Sequence, residues 1–244
     1  MPRASDYLLE GYTYHLTHRC QERQFLLRAG RYRSAYRKWL SEGVQRYGVP
    51  VYGYCITRNH VRVVAHASKR EAISRMMQLA SGATAKGLNV RKDRVNAMWE
   101  HPYHCTVIQD GRHLLNCLQY VDLNMVRAGR VRHPDEWKWC GYDELSGQRQ
   151  RYRILNVGYL AERVGLASAR DFHAWYVDAM SERLKEREQL REPQWTESVA
   201  VGSDDFVSEI TGNYPHRFRF SINRARRGAW AVREAPVPYG TKKS

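Results

Sequence analysis

The sequence predicts an α+β fold: a ferredoxin-like (split βαβ) antiparallel sheet with helices on one face, plus a helical C-terminal extension. Three observations carry that expectation. Runs of alternating β-forming residues and runs of helical period follow one another in the order β-α-β-β-α-β-α, up to Gly129. The second and third strand candidates are separated by only Thr57-Arg58-Asn59, a turn short enough to require antiparallel pairing. Beyond Gly141 the periodicity is mostly helical. Two regions are therefore expected, residues 1–145 and residues 146–244.

Residues 12–18 alternate and are rich in β-formers, which makes them the first strand. Tyr32, Ala35, Tyr36, Trp39, Leu40 and Val44 recur at helical spacing over residues 31–47, and Gly48 and Pro50 close that helix. Residues 51–56 and 60–67 supply the hairpin. A second helix starts at Lys69 and carries Ile73, Met76, Met77, Leu79 and Ala80, with residues 87–94 expected as a basic loop. His104–Ile108 is the fourth strand, and a helix over residues 111–128 stops at Gly129. Residues 159–184 and 195–210 are expected to be helical. Ala161 to Gly165 followed by Phe172 is open to two readings, a helix-turn-helix or an ordinary helical hairpin. The Arg-rich stretch from Pro215 (Arg217, Arg219, Arg224, Arg226, Arg227, Arg233) fits either a nucleic-acid contact or a solvated, partly disordered end.

Charge narrows the functional classes. Forty Lys and Arg against 25 Asp and Glu give a net charge of +15, and the pI is near 9.8. Such a chain is expected to meet a polyanion, of which nucleic acid is the commonest. No long apolar span and no cleavable leader is evident, so a cytoplasmic protein without membrane attachment is expected. Five cysteines without CxxC spacing fit reduced thiols. His101, His104 and Cys105 cluster in sequence, but without paired spacing they read as loop and strand-end polar residues rather than a zinc site.

Two segments carry chemistry. Tyr120 and Asn124 stand at i and i+4, so a helix would project both from one face. That juxtaposes a phenol and an amide oxygen, a pairing that suits a nucleophile beside a hard cation, although a helical tyrosine is also an ordinary packing residue. In Asn59-His60-Val61-Arg62, strand alternation puts His60 and Arg62 on one face.

Together these segments resemble the single-tyrosine HUH transposases, in particular the REP-associated tyrosine transposases. Those proteins carry an Asn-His-hydrophobic-His strand and a Tyr helix ending in Asn-x-Val-Arg-Ala-Gly; here the latter is Asn124-Met125-Val126-Arg127-Ala128-Gly129. The resemblance covers roughly residues 12–142 and includes Met98 to His104 and Trp137 to Tyr142; Trp195 to Gly202 is similar to the tail of a subset of that family. It implies that Tyr120 attacks a phosphodiester of hairpin-bearing single-stranded DNA, leaving a 5′-phosphotyrosyl link and a free 3′-hydroxyl. It implies that His60 and Asn124 hold Mg²⁺ or Mn²⁺. Arg19, Arg58, Arg62, Arg127 and Arg130 are candidate DNA contacts. Arg28, Arg31, Arg33, Arg37 and Lys38 are expected to form one solvated helix face.

One position departs from the pattern. Arg62 occupies the place of the second histidine, and a guanidinium has no lone pair to give and stays charged. His15, on the first strand, is the candidate replacement ligand, with His66 a more distant one. Three outcomes stand open: nicking is lost and DNA binding remains; catalysis persists on a rebuilt metal site; or Arg62 itself clamps the phosphate in place of a cation. A non-catalytic nucleic-acid binder, such as an RRM-like RNA-binding module, is the competing class. The oligomeric state is left open.

Overall fold

The computed structural model describes residues 8–100, 102–149, 151–186, 190–214 and 218–235. Its first four strands are β1 (Thr13–Arg19), β2 (Val51–Ile56), β3 (His60–His66) and β4 (His104–Ile108). They lie in the order β2-β3-β1-β4, all antiparallel, which is the split βαβ arrangement. Register fixes what shares a face. Arg19 pairs with His60, Thr17 with Arg62, His15 with Val64 and Thr13 with His66. These residues therefore stand on one side of the sheet, and Tyr14, Leu16 and His18 on the other.

The Tyr14 side is covered by α1 (Gly30–Tyr47) and α2 (Arg70–Lys92). His18 stacks on Trp99 at 4.3 Å; Trp99 in turn packs on Tyr36 of α1 and donates its indole N–H to the Ser81 carbonyl of α2. The two helices touch at Gly43, where an added Cβ would stand 3.0 Å from Met76 Cγ. The opposite side is covered by α3 (Arg112–Asp122). Its Leu118 lies so near Gly53 of β2 that a Cβ there would fall 2.7 Å from Leu118 Cδ2. The Tyr helix is thus on the other face from the ferredoxin-like pair.

Three stretches differ from expectation. Residues 87–92, expected as a loop, are the last turns of α2, which ends only at Asp93 (φ 48°). Leu88 is fully buried, and that burial outweighs the roughly 1 kcal/mol that Gly87 costs a helix. The Tyr helix breaks at Leu123, and Asn124–Arg127 form a separate turn, α4. Residues 195–210, expected as one helix, are α8 (Gln194–Glu197), β5 (Ala200–Gly202) and α9 (Asp204–Gly212). Tertiary pairing decided this: β4 presents an open edge, and Val107 and Gln109 donate to the Val199 and Val201 carbonyls.

The extension is therefore not purely helical. α5 (Tyr142–Leu145), α6 (Val157–Arg163) and α7 (Ala169–Leu184) precede α8, and Gly165 (φ 78°) breaks residues 159–184 into a helical hairpin packed on the core through Phe172, Tyr176 and Met180. After β5, which runs parallel to β4, β6 (Phe220–Arg224) and β7 (Trp230–Glu234) extend the same sheet to seven strands. The described part of the Arg-rich stretch is thus a β-hairpin, and Arg227 and Arg233 are tied to Glu192 and Glu197. Pro215 and Arg217 lie outside the described residues, as does His101. All five cysteines are buried, and none is in a disulfide. Among the described residues no helix is long and apolar enough to cross a membrane.

Candidate functional site

The α3-covered face gathers His15 from β1, His60 and Arg62 from β3, and Tyr120 from α3. Tyr120 is 2% exposed, with two guanidinium groups over its ring: Arg127 at 3.9 Å and Arg62 at 5.0 Å from the centroid. The break at Leu123 puts Arg127 there, since its Nη2 turns back to donate to the Tyr120 carbonyl at 2.6 Å. His15 meets the Tyr120 ring edge-on at 6.4 Å, and Trp195 of α8 lies against it at 6.3 Å. Trp195 was not anticipated as a neighbour of the site; its only trace in the sequence was the Trp195 to Gly202 run.

The two imidazoles differ in readiness. His60 Nδ1 lies 2.9 Å from Asn59 Oδ1 and 3.0 Å from Thr57 Oγ1. An amide oxygen is an acceptor only, so Nδ1 carries the hydrogen and Nε2 keeps a lone pair. That Nε2 is buried without a hydrogen-bond partner among the described residues. His15 is occupied on both sides: Nδ1–H donates to the Trp195 carbonyl at 2.6 Å, and Nε2 faces Arg62 Nη1 at 3.5 Å. Burial first, then the nearby Arg62, holds both imidazoles well below their ordinary pKa, and Arg19 and Arg127 add to this at His60. Both rings are neutral at neutral pH. Burial likewise pushes the Arg127 guanidinium down to about 10.

The other expected residues are distributed unequally. Asn124 is buried at the start of α4, and Arg19 is half-buried at the end of β1, opposite His60. Burial, and after it the nearby Arg58 on the β2–β3 turn, lowers the pKa of Arg33. Arg130 is exposed just past Gly129. His66 does not approach the site; Arg163 Nη2 meets its Nε2 at 3.0 Å and reaches Asp110 with the other nitrogen. Arg33 is not part of a solvated face. It is 6% exposed, donates to the Leu27 and Arg28 carbonyls and stacks 3.8 Å over Trp139. His104 bonds the Ser198 carbonyl, which makes it a strand-pairing residue.

These donors do not make a divalent-cation site. Mg²⁺ and Mn²⁺ favour several oxygen ligands in octahedral geometry. The cluster offers one ready imidazole, and no group of three or more His, Cys, Asp or Glu that could hold a metal occurs among the described residues. Arg62 fills the second histidine's place and repels a cation there.

Residues 9–124 match the family model described as transposase, IS200 like. No curated protein matches the chain. Among solved structures, a REP-associated tyrosine transposase bound to a REP hairpin is 15% identical, with 60% of this chain and 85% of that one covered and a TM-score of 0.47. A candidate transposase from Deinococcus radiodurans R1 is 13% identical, with 50% and 96% covered and a TM-score of 0.34. Residues 9–124, which carry β1 to β4, His60 and Tyr120, are thus the part of this chain that is similar to the IS200-like transposases.

Proposed function

We propose that this protein binds hairpin-bearing single-stranded DNA through the α3-covered face and has lost metal-dependent nicking. One observation carries the reading: the Arg62 guanidinium, at the second histidine's position, lies 3.5 Å from His15 Nε2 and 5.0 Å from the Tyr120 ring centroid. Fixed guanidinium groups suit phosphate oxygens, and Arg19, Arg62 and Arg127 all act on the same imidazole of His60. The basic charge of the whole chain supports a nucleic-acid partner. The DNA-binding assignment covers Arg19, Arg62 and Arg127 most directly, with Arg58 and Arg130 as flanking backbone contacts. Tyr120 then acts as a packed ring beneath the phosphate-binding guanidinium groups.

The deciding measurement incubates the full chain with labelled hairpin single-stranded DNA and Mg²⁺ or Mn²⁺. Binding without a covalent adduct is expected, and Arg62→Ala should weaken it. An adduct that Tyr120→Phe abolishes would overturn the loss of nicking.

A second reading is favoured by the two guanidinium groups flanking Tyr120. Here the phenol oxygen attacks phosphorus, the bond to the 3′ oxygen breaks, and that oxygen takes up a proton as a 3′-hydroxyl. The guanidinium groups neutralise the developing charge without a metal. An adduct that persists in EDTA distinguishes this reading from both others.

A further inference from the structure

A basic cavity lies in the helical layer on the opposite side of the sheet from Tyr120. It encloses about 580 Å³ and is lined by Arg37 and Lys38 of α1 together with Lys138, Trp139, Arg149 and Tyr152. Two of its cations are held in place from behind. Arg149 donates to Asp143 at 2.8 Å, and Arg37 stands 3.8 Å from the buried Glu144 carboxylate, which is itself held by the Ile154 and Leu155 backbone N–H groups. Lys38 and Lys138 have no carboxylate within 4.0 Å among the described residues, although Glu42 lies on the same rim. Trp139 is braced by Arg33 on its ring and by an indole hydrogen bond to Ser34.

Tyr152 is the unusual member. It is 90% exposed, yet its backbone is held at φ 53°, a left-handed conformation that a tyrosine adopts at a cost. Folding burial cannot account for a large aromatic displayed on a strained loop. An exposed π-face beside guanidinium groups held by carboxylates and ammonium groups lying over tryptophan rings is the composition that grips a nucleotide: base on the ring, phosphates on the cations.

We infer that this cavity is a second nucleic-acid subsite, which takes an unpaired nucleotide of single-stranded DNA by stacking on Tyr152 and by phosphate contacts to Lys38 and Lys138. The inference rests on the proposed DNA partner but not on the Tyr120 face. The two sites lie in different layers, so a strand occupying both passes around the edge of the sheet.

The test measures binding of a fluorescein-labelled oligothymidylate to the full chain across a salt series. Tyr152→Ala is expected to weaken binding about five-fold or more, and Tyr152→Phe to leave it near the natural value. The Lys38→Ala/Lys138→Ala pair is expected to reduce the salt slope by about 1.4, the contribution of two single-strand phosphate contacts. All three positions are on the surface, and unchanged melting temperatures confirm folding. A 5-iododeoxyuridine oligomer should crosslink at Tyr152 or Trp139. Natural affinity and slope in these variants, while Arg62→Ala still weakens binding, would sink the subsite and leave the proposed function standing. Loss with Tyr152→Ala but none with Arg62→Ala would do the reverse. Failure of the natural protein to bind the oligomer, or tighter binding to oligouridylate, removes the DNA assignment of the cavity.

Discussion

Arg62 Nη1 lies 3.5 Å from His15 Nε2, so the guanidinium faces the imidazole expected to replace the missing histidine. His15 cannot turn away, because its Nδ1–H is held by the Trp195 carbonyl at 2.6 Å. One substitution therefore does two things to the site: it removes a ligand and directs positive charge at the substitute.

Arg62→His should reverse both effects. The variant is expected to gain a Mn²⁺-dependent covalent DNA adduct, visible as a labelled band on a denaturing gel and absent in the Arg62→His/Tyr120→Phe double variant. No adduct in the single variant would mean that Arg62 is not the sole obstacle.

The cover over Tyr120 can be tested independently. Trp195 is 1% exposed and donates its indole N–H to Glu192 at 2.7 Å. Trp195→Ala should cost about 3–5 kcal/mol of stability, the usual range for a buried tryptophan. It should also make Tyr120 accessible to nitration by tetranitromethane. Unchanged nitration at that position, read by peptide mass spectrometry, would count against Trp195 as the covering group.

Glu192 should prove a structural tie. It receives Arg183 at 2.5 Å and Arg227 at 3.0 Å, joining α7 and the β6–β7 hairpin to the segment that bears Trp195. Arg183 and Arg227 both keep Glu186 as a partner, so Glu192→Ala removes only the buried half of the tie and should destabilise by about 1.5–3 kcal/mol in urea unfolding. A change under about 1 kcal/mol would place the pair with surface ion pairs instead.

Asp122 gives a pH signature. Burial raises its carboxyl to about 8, against a partly opposing hydrogen bond from Tyr176, whose hydroxyl lies 2.8 Å from Oδ2. A folded-state value raised above the unfolded one means that the native state holds the proton more tightly. The contribution is complete below the unfolded value of about 4 and is lost as pH rises through about 8. Asp122→Asn retains an acceptor for Tyr176 and cannot ionise. Its melting temperature relative to the natural protein should therefore increase between pH 5 and pH 9, roughly the span over which the linkage acts. A constant difference would exclude the linkage.

Local patterns made the first half of the fold legible. Alternation over β1, the short Thr57-Arg58-Asn59 turn and the apolar spacing along α1 each reflect which side of an element meets the core. The Val199-Ala200-Val201 run was not legible as a strand, because a three-residue strand depends on the open edge of β4, far away in sequence. Arg33 was misread for a related reason: its charge suggested solvent, but the Leu27 and Arg28 carbonyls and the Trp139 ring satisfy it in a buried place.

By itself the sequence determined the order of elements along the split βαβ unit, the surplus of positive charge, and the presence of a guanidinium where a second imidazole would complete a half-site. These are properties of residue type and spacing, which the chain carries before it folds. Only the tertiary structure decided what surrounds Tyr120. The break at Leu123 turns Arg127 back onto the ring, and a segment some seventy-five residues later brings Trp195 against it. Such contacts arise from packing between distant elements, where the shape of the partner surface, and not local periodicity, selects the neighbour.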